Sequence, residues 1–222
     1  MNRILAVVLA GAACASGAQA VVVNVDTSGG GWQGFMNVFN LPSAGGGYVF
    51  GSGWGIPDLC ANFNDGAHTL TLTPNTIGDP DPFWYTPAGG PGATGNKIME
   101  ANLYHEVTTT LSGTTVNFKG TVLSNTLDPS HVASLFIRDF AADYSSSVDI
   151  FIPMVAGDFD FSLNTIPLAG RHVQWGMRVV GPDVWITDVG QYGTAVLATV
   201  PAPASLGLIG LGGLAMARRR RA

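Results

Sequence analysis

The sequence predicts an all-β fold, an antiparallel β-sandwich of jelly-roll-like order. Three observations point there. Apolar and polar residues alternate at period two in several stretches, as half-buried strands require. Turn chemistry interrupts the chain about every ten residues. Composition agrees: 30 glycines and 13 prolines among 222 residues, with only 11% charged, describe a turn-rich chain with neutral polar faces.

Residues 1–20 read as a signal peptide. Arg3 supplies the positive start, Ile4 to Ala13 form an apolar run, and Ala18 and Ala20 place small side chains where a signal peptidase needs them. The run is too short to span a bilayer, which takes about 20 residues. Cleavage after Ala20 would leave Val21 as the new N-terminus.

Residues 21–199 form the predicted sandwich domain, large enough to bury about 70% of its unfolded surface without staples. Its first third is loop-rich. Gly29-Gly30-Gly31, Gly45-Gly46-Gly47 and the stretch 79–95 read as loops, with short strands over 32–39 and 47–51. Clearer alternation follows. Over 98–108, Met99, Ala101, Leu103 and Val107 share one face and Glu100, Asn102, Tyr104 and Glu106 the other. Over 115–124, Val116, Phe118 and Val122 oppose Asn117, Lys119 and Thr121. Phe159, Phe161 and Leu163 mark another strand, as do Val173, Trp175, Met177 and Val179, with His172, Gln174 and Arg178 outward. Residues 133–137 and 148–155 are apolar on both faces, as central strands covered on each side would be. Breaks fall at Ser112-Gly113, Asp128-Pro129, Gly157-Asp158, Ala169-Gly170 and Gly181-Pro182-Asp183. No helix is predicted in this domain.

Residues 200–222 break the pattern. Val200-Pro201-Ala202-Pro203 precedes an apolar run from Leu206 to Ala217, then Arg218, Arg219, Arg220 and Arg221. Extended back to Ala195, the weakly polar stretch is just long enough for a hydrophobic anchor helix. The arginines would stay cytoplasmic and meet anionic lipid, so the membrane is one expected partner. This order of Pro-x-Pro, short Gly/Ala/Leu segment and arginine cluster resembles the PEP-CTERM sorting signal, with Ala202 where that family usually has Glu. The resemblance implies export to the cell envelope or beyond, and recognition of the tail by an exosortase-like membrane enzyme. Such hosts tend to make exopolysaccharide, which makes that polymer a second expected partner.

Charge narrows the function classes. Outside the two ends only Lys97, Lys119, Arg138, Arg171 and Arg178 stand against all 15 acidic residues. No basic patch exists to neutralise phosphates, so nucleic acid is not expected as a partner. Cys60 is alone once residues 1–20 are removed, so no intramolecular disulfide forms, and it reads as a buried, inert thiol.

Candidate chemistry is sparse. Sugar sites present exposed aromatic rings, and Trp84 and Tyr85, in a Pro/Gly-rich loop, are the candidate ligand-binding pair. Trp32 and Trp175 follow strand patterns and read as core. Asp79 and Asp81 are the candidates for a structural Ca²⁺, although their spacing is not that of a calcium loop. Glu100 and Glu106 share a strand face but lie about 20 Å apart along it, beyond the roughly 5–10 Å of paired glycosidic carboxylates. No nucleophile elbow, phosphate loop or histidine metal spacing is present, and His105 reads as a hydrogen-bonded core residue. The sequence therefore predicts no enzyme, no catalytic residues and no cofactor beyond that candidate calcium. It leaves two readings: an exported structural or interaction protein of the envelope matrix, and a jelly-roll carbohydrate-binding module. Exposed aromatics along a groove would favour the second.

Overall fold

A computed structural model describes residues 20–200. The predicted signal segment before Ala20 and the tail beyond Val200, including Ala18, Pro201, Ala202, Pro203 and the four terminal arginines, lie outside the described residues. Fourteen strands follow in order: β1 (Val21–Val23), β2 (Gln33–Asn40), β3 (Tyr48–Gly53), β4 (Ala61–Asn64), β5 (Thr69–Leu72), β6 (Tyr85–Thr86), β7 (Thr94–Gly95), β8 (Lys97–Thr108), β9 (Thr115–Asn125), β10 (Val132–Phe140), β11 (Ser147–Pro153), β12 (Gly157–Asn164), β13 (His172–Pro182) and β14 (Ala195–Ala198). Helical structure among the described residues is limited to three-residue 3-10 turns.

The long strands form where the alternation is strongest. In β8, Met99, Ala101 and Leu103 are buried while Glu100, Tyr104 and Glu106 face out, and in β13 Val173, Trp175, Met177 and Val179 are buried. Period two sends each set to one face of a pleated strand, and burial of the apolar set drives the two sheets together. Gly113, at φ +70°, takes the left-handed turn between β8 and β9 that a side chain would strain.

Two six-stranded sheets enclose one hydrophobic core. In the first sheet the neighbours run β12, β9, β14, β5, β4, and β1 shares an edge of β9 with β14. In the second they run β11, β10, β13, β8, β2, β3. Pairing is antiparallel except that β1 lies parallel on β9, from Val21 opposite Val116 to Val23 opposite Phe118. The sequence predicts antiparallel pairing throughout; β1 departs from it, lying parallel on the edge of β9 opposite β12, which it shares with antiparallel β14. From β8 onward the chain passes back and forth between the sheets, with the β10–β11 hairpin as the only pair made within one sheet by successive strands.

Three expectations need correction. Residues 148–155 are predicted as a central strand, but β11 is the edge of the second sheet, and Val148 and Val155 are exposed. Residues 61–72, with no strand predicted, carry β4 and β5, whose Leu70 and Leu72 are buried. The expected anchor cannot begin at Ala195. Those residues are β14, an interior strand of the first sheet between β9 and β5, with Ala195 and Leu197 fully buried. Their apolar side chains are spent on the core. Thr199 and Val200 continue this attachment: Thr199 donates its N–H to the His68 carbonyl and Val200 to that of Val25.

Candidate functional site

The outward face of the second sheet holds a groove of about 590 Å³, a size usual for ligand sites. Four neighbouring strands floor it: β2 contributes Phe35 and Asn37, β8 Asn102, Tyr104 and Glu106, β13 Gln174, and β10 Arg138 and Phe140. Tyr144, in the β10–β11 turn, and Asp149 of β11 close one side. Cross-strand register brings these groups together. Tyr104 lies opposite Gly176 on one side and Gln33 on the other, and Gln174 lies opposite both Glu106 and Arg138.

Gly176 is the centre of this face. A Cβ there would collide with the carbonyl of Leu103 and come within 2.7 Å of the Tyr104 Cα, so only glycine lets β13 approach β8 this closely. Beside it Phe136 is fully buried although it points to the outer side, because Phe151 and a guanidinium group cover it. Arg138 lies 4.7 Å from the Phe136 ring and 4.9 Å from that of Phe151, and Arg178 lies 4.0 Å from Phe151.

Polar contacts organise the rest. Glu100 accepts hydrogen bonds from Asn37 (3.0 Å), Asn102 (3.2 Å) and Arg178 (3.2 Å). Arg138 donates to the side-chain Oδ1 of Asn102 at 3.2 Å, and its Nε is 3.7 Å from Asp149. Glu106 accepts from the Tyr144 hydroxyl at 2.9 Å and from Gln174 at 2.7 Å, and lies 3.4 Å from Nδ1 of His172. Burial raises the Tyr104 phenol, with Glu106 adding and Arg138 opposing. Desolvation and the bond to Glu106 push Tyr144 up to about 12. Both phenols are therefore neutral at physiological pH, and the negative charge of the groove resides on carboxylates. Burial lowers Arg138, with Asp149 and Glu100 opposing, yet a guanidinium stays charged throughout the physiological range.

Beneath the groove, Asp139 is fully buried between Arg138 and Phe140. It accepts from Arg171 Nε at 2.7 Å and from the Ile166 N–H at 2.7 Å, while Arg171 also donates to its carbonyl at 2.6 Å. This pair ties the 165–171 loop to β10.

The residues singled out by sequence lie elsewhere. Tyr85 is fully buried, with its hydroxyl donating to the Ile77 carbonyl at 2.8 Å and accepting from the Ile77 N–H, so it offers no surface to a ligand. Its place in a Pro/Gly-rich loop conceals a packing role against Trp185. Trp84 is half-buried against Phe50 and Phe83. Neither residue lines the groove. Asp79 and Asp81 are exposed, and each turns one carboxylate oxygen onto a backbone N–H two residues on, of Asp81 and Phe83 respectively. No group of three or more His, Cys, Asp or Glu side chains suited to a metal occurs among the described residues. Cys60 is half-buried rather than buried, because it caps a 3-10 turn at φ +57° and points toward Thr76. His105 is buried as expected, but Nε2 makes no hydrogen bond; its ring packs on Trp32 and Trp175 instead.

Residues 199–221 match the family model of the PEP-CTERM protein-sorting motif. The chain carries a PEP-CTERM sorting signal. It is accordingly an exported protein sorted to the cell envelope through exosortase, a membrane enzyme that processes such signals. The domain before the PEP-CTERM tail has no family match. No curated protein and no solved structure matches the chain. No helix among the described residues is long and apolar enough to cross a membrane.

Proposed function

We propose that this PEP-CTERM protein displays a glycan-binding groove at the cell envelope, with exopolysaccharide as its natural partner. The observation that carries the reading is the convergence of amides, carboxylates and aromatic rings from five strands and one turn on a single groove. Sugars offer hydroxyl groups in pairs and an apolar ring face. Asn37 and Glu106 match the first, with buried Asn102 and Gln174 bracing Arg138 and Glu106 respectively, and Tyr104, Phe140 and half-exposed Tyr144 match the second. A purely structural protein would have no use for two of its five domain cations and three carboxylates gathered on one face, at a cost in desolvation.

The strand order supports a jelly-roll reading of the domain. Strands β5, β14, β9 and β12 are adjacent in one sheet and β8, β13, β10 and β11 in the other, as two interleaved Greek keys require. The membrane anchor, in this reading, is confined to residues 201–217, at the lower limit of about 17 residues for a span. The role is binding rather than catalysis.

Titration calorimetry with a panel of neutral, amine-bearing and uronate oligosaccharides tests the proposal. At least one class binds, and Tyr104→Ala or Tyr144→Ala weakens it about tenfold, the scale of one lost stacking or hydrogen-bond contact. Binding that survives both substitutions, or none from any class, would refute it.

A further inference from the structure

We infer that the groove selects a sugar carrying a free, protonated amine, with Glu106 as the residue that receives it. This rests on the glycan-binding reading and names the ligand class within it. Three carboxylates belong to this face, and their partners differ. Glu100 is joined to Arg178, and Asp149 lies beside Arg138. Glu106 has no guanidinium or ammonium beside it among the described residues. Two neutral donors hold it, the Tyr144 hydroxyl and the Gln174 amide, and the nearby Nδ1 of His172 is shared with the Thr108 hydroxyl at 2.9 Å.

Such a carboxylate is positioned but not neutralised. Its two bonds fix its orientation and leave further lone pairs on the groove side. Aromatic rings line the groove around it: Tyr104 precedes it by two on β8, Tyr144 reaches it through its hydroxyl with one ring face stacked on His172 at 4.2 Å, and Phe140 lies 5.4 Å from Tyr144. A carboxylate among aromatic rings is a site for a cation, because the ring quadrupole and the charge attract the same ligand atom. The arginines argue in the same direction. Arg138 and Arg178 are engaged with Asn102, Ser134, Glu100 and the faces of Phe136 and Phe151. A uronate or sulfate would find no uncompensated cation and would meet a net negative face. A sugar rather than a lysine side chain carries the ammonium because an extended oligosaccharide, unlike a single side chain, can run along the groove from Glu106 toward Asn37, which pairs with Glu100 about 20 Å away.

The test compares a glucosamine trisaccharide with its fully N-acetylated counterpart on the full-length protein in detergent, by titration calorimetry near neutral pH. The free-amine form is expected to bind about tenfold or more tighter, the scale of a charge-assisted bond, and Glu106→Gln to erase that difference. Because Glu106→Gln keeps the side-chain length, its melting temperature serves as the folding control. Equal affinity for the two trisaccharides, or a preference for the amine that persists in Glu106→Gln, overturns the inference while leaving glycan binding in place. Tighter binding of a lysine-containing peptide than of the amino sugar also overturns it. Failure of every oligosaccharide in the panel defeats the underlying reading instead.

Discussion

Replacing Arg171 by Met is the sharpest probe of how the groove is held in place. Asp139 would keep its bond from the Ile166 N–H but lose the guanidinium that neutralises it, in a site with no solvent access. Removing one partner of a buried ion pair costs about 3–5 kcal/mol. In a domain of this size about 2–4 °C accompanies each kcal/mol, so the melting temperature should fall by roughly 6–20 °C. Replacing both partners, in Arg171→Met with Asp139→Leu, removes the stranded charge and should recover most of that loss. Urea unfolding followed by tryptophan fluorescence reads both variants on one scale. Because Arg138 and Phe140 flank Asp139, the single variant should also weaken glycan binding beyond what its remaining folded fraction explains. A loss below about 1 kcal/mol in the single variant, or a double variant no better than it, would refute the assignment of this pair as the clamp beneath the groove.

Other outcomes follow from the same geometry. Gly176→Ala should destabilise by about 1–3 kcal/mol, the usual range for overpacking, and perturb the amide resonances of Leu103 and Tyr104, since its new methyl meets their backbone. Burial lowers His105 from its ordinary 6.5 to about 4; NMR should show its imidazole neutral down to that pH, and a midpoint above 6 would contradict the packing described. Because the unfolded chain binds a proton that folded His105 refuses, this residue makes stability rise between about pH 4 and 6.5. Asp183 acts oppositely: burial raises its carboxyl to about 6, the folded state holds the extra proton, and its contribution to stability falls as pH rises from about 4 to 6. Asp183→Asn should remove that fall, visible as a difference between the two melting-temperature profiles.

Much of the fold is legible in the sequence because half-buried strands announce themselves. β8 and β13 alternate without interruption, and that alternation alone marks Glu100, Asn102, Tyr104, Glu106, Gln174 and Arg178 as outward residues. It does not reveal that those two strands are neighbours, with β10 and β2 on either side. Adjacency in a sheet of this kind is set by crossovers between distant segments, and no local pattern records it. The groove is therefore present in the sequence only as parts. A Pro/Gly-rich loop suggests exposure for Trp84 and Tyr85, but that loop folds back and buries Tyr85 under Trp185. Tyr144 carries no such signal, because its turn conformation, at φ +57°, is what aims it across to Glu106. β14 reads as part of the tail for a physical reason too: an interior strand and a membrane segment are both uniformly apolar. Only the closing length of four residues, Ala195 to Ala198, separates the two.

Amide chemical-shift mapping of the labelled protein during titration with a bound oligosaccharide shows whether the ligand sits in the groove. Shifts are expected to concentrate on Asn102 to Glu106, Arg138 to Tyr144 and Gln174, with the 79–95 loop unmoved. Shifts confined to that loop, or spread evenly over the surface with no focus on the groove, would contradict that placement.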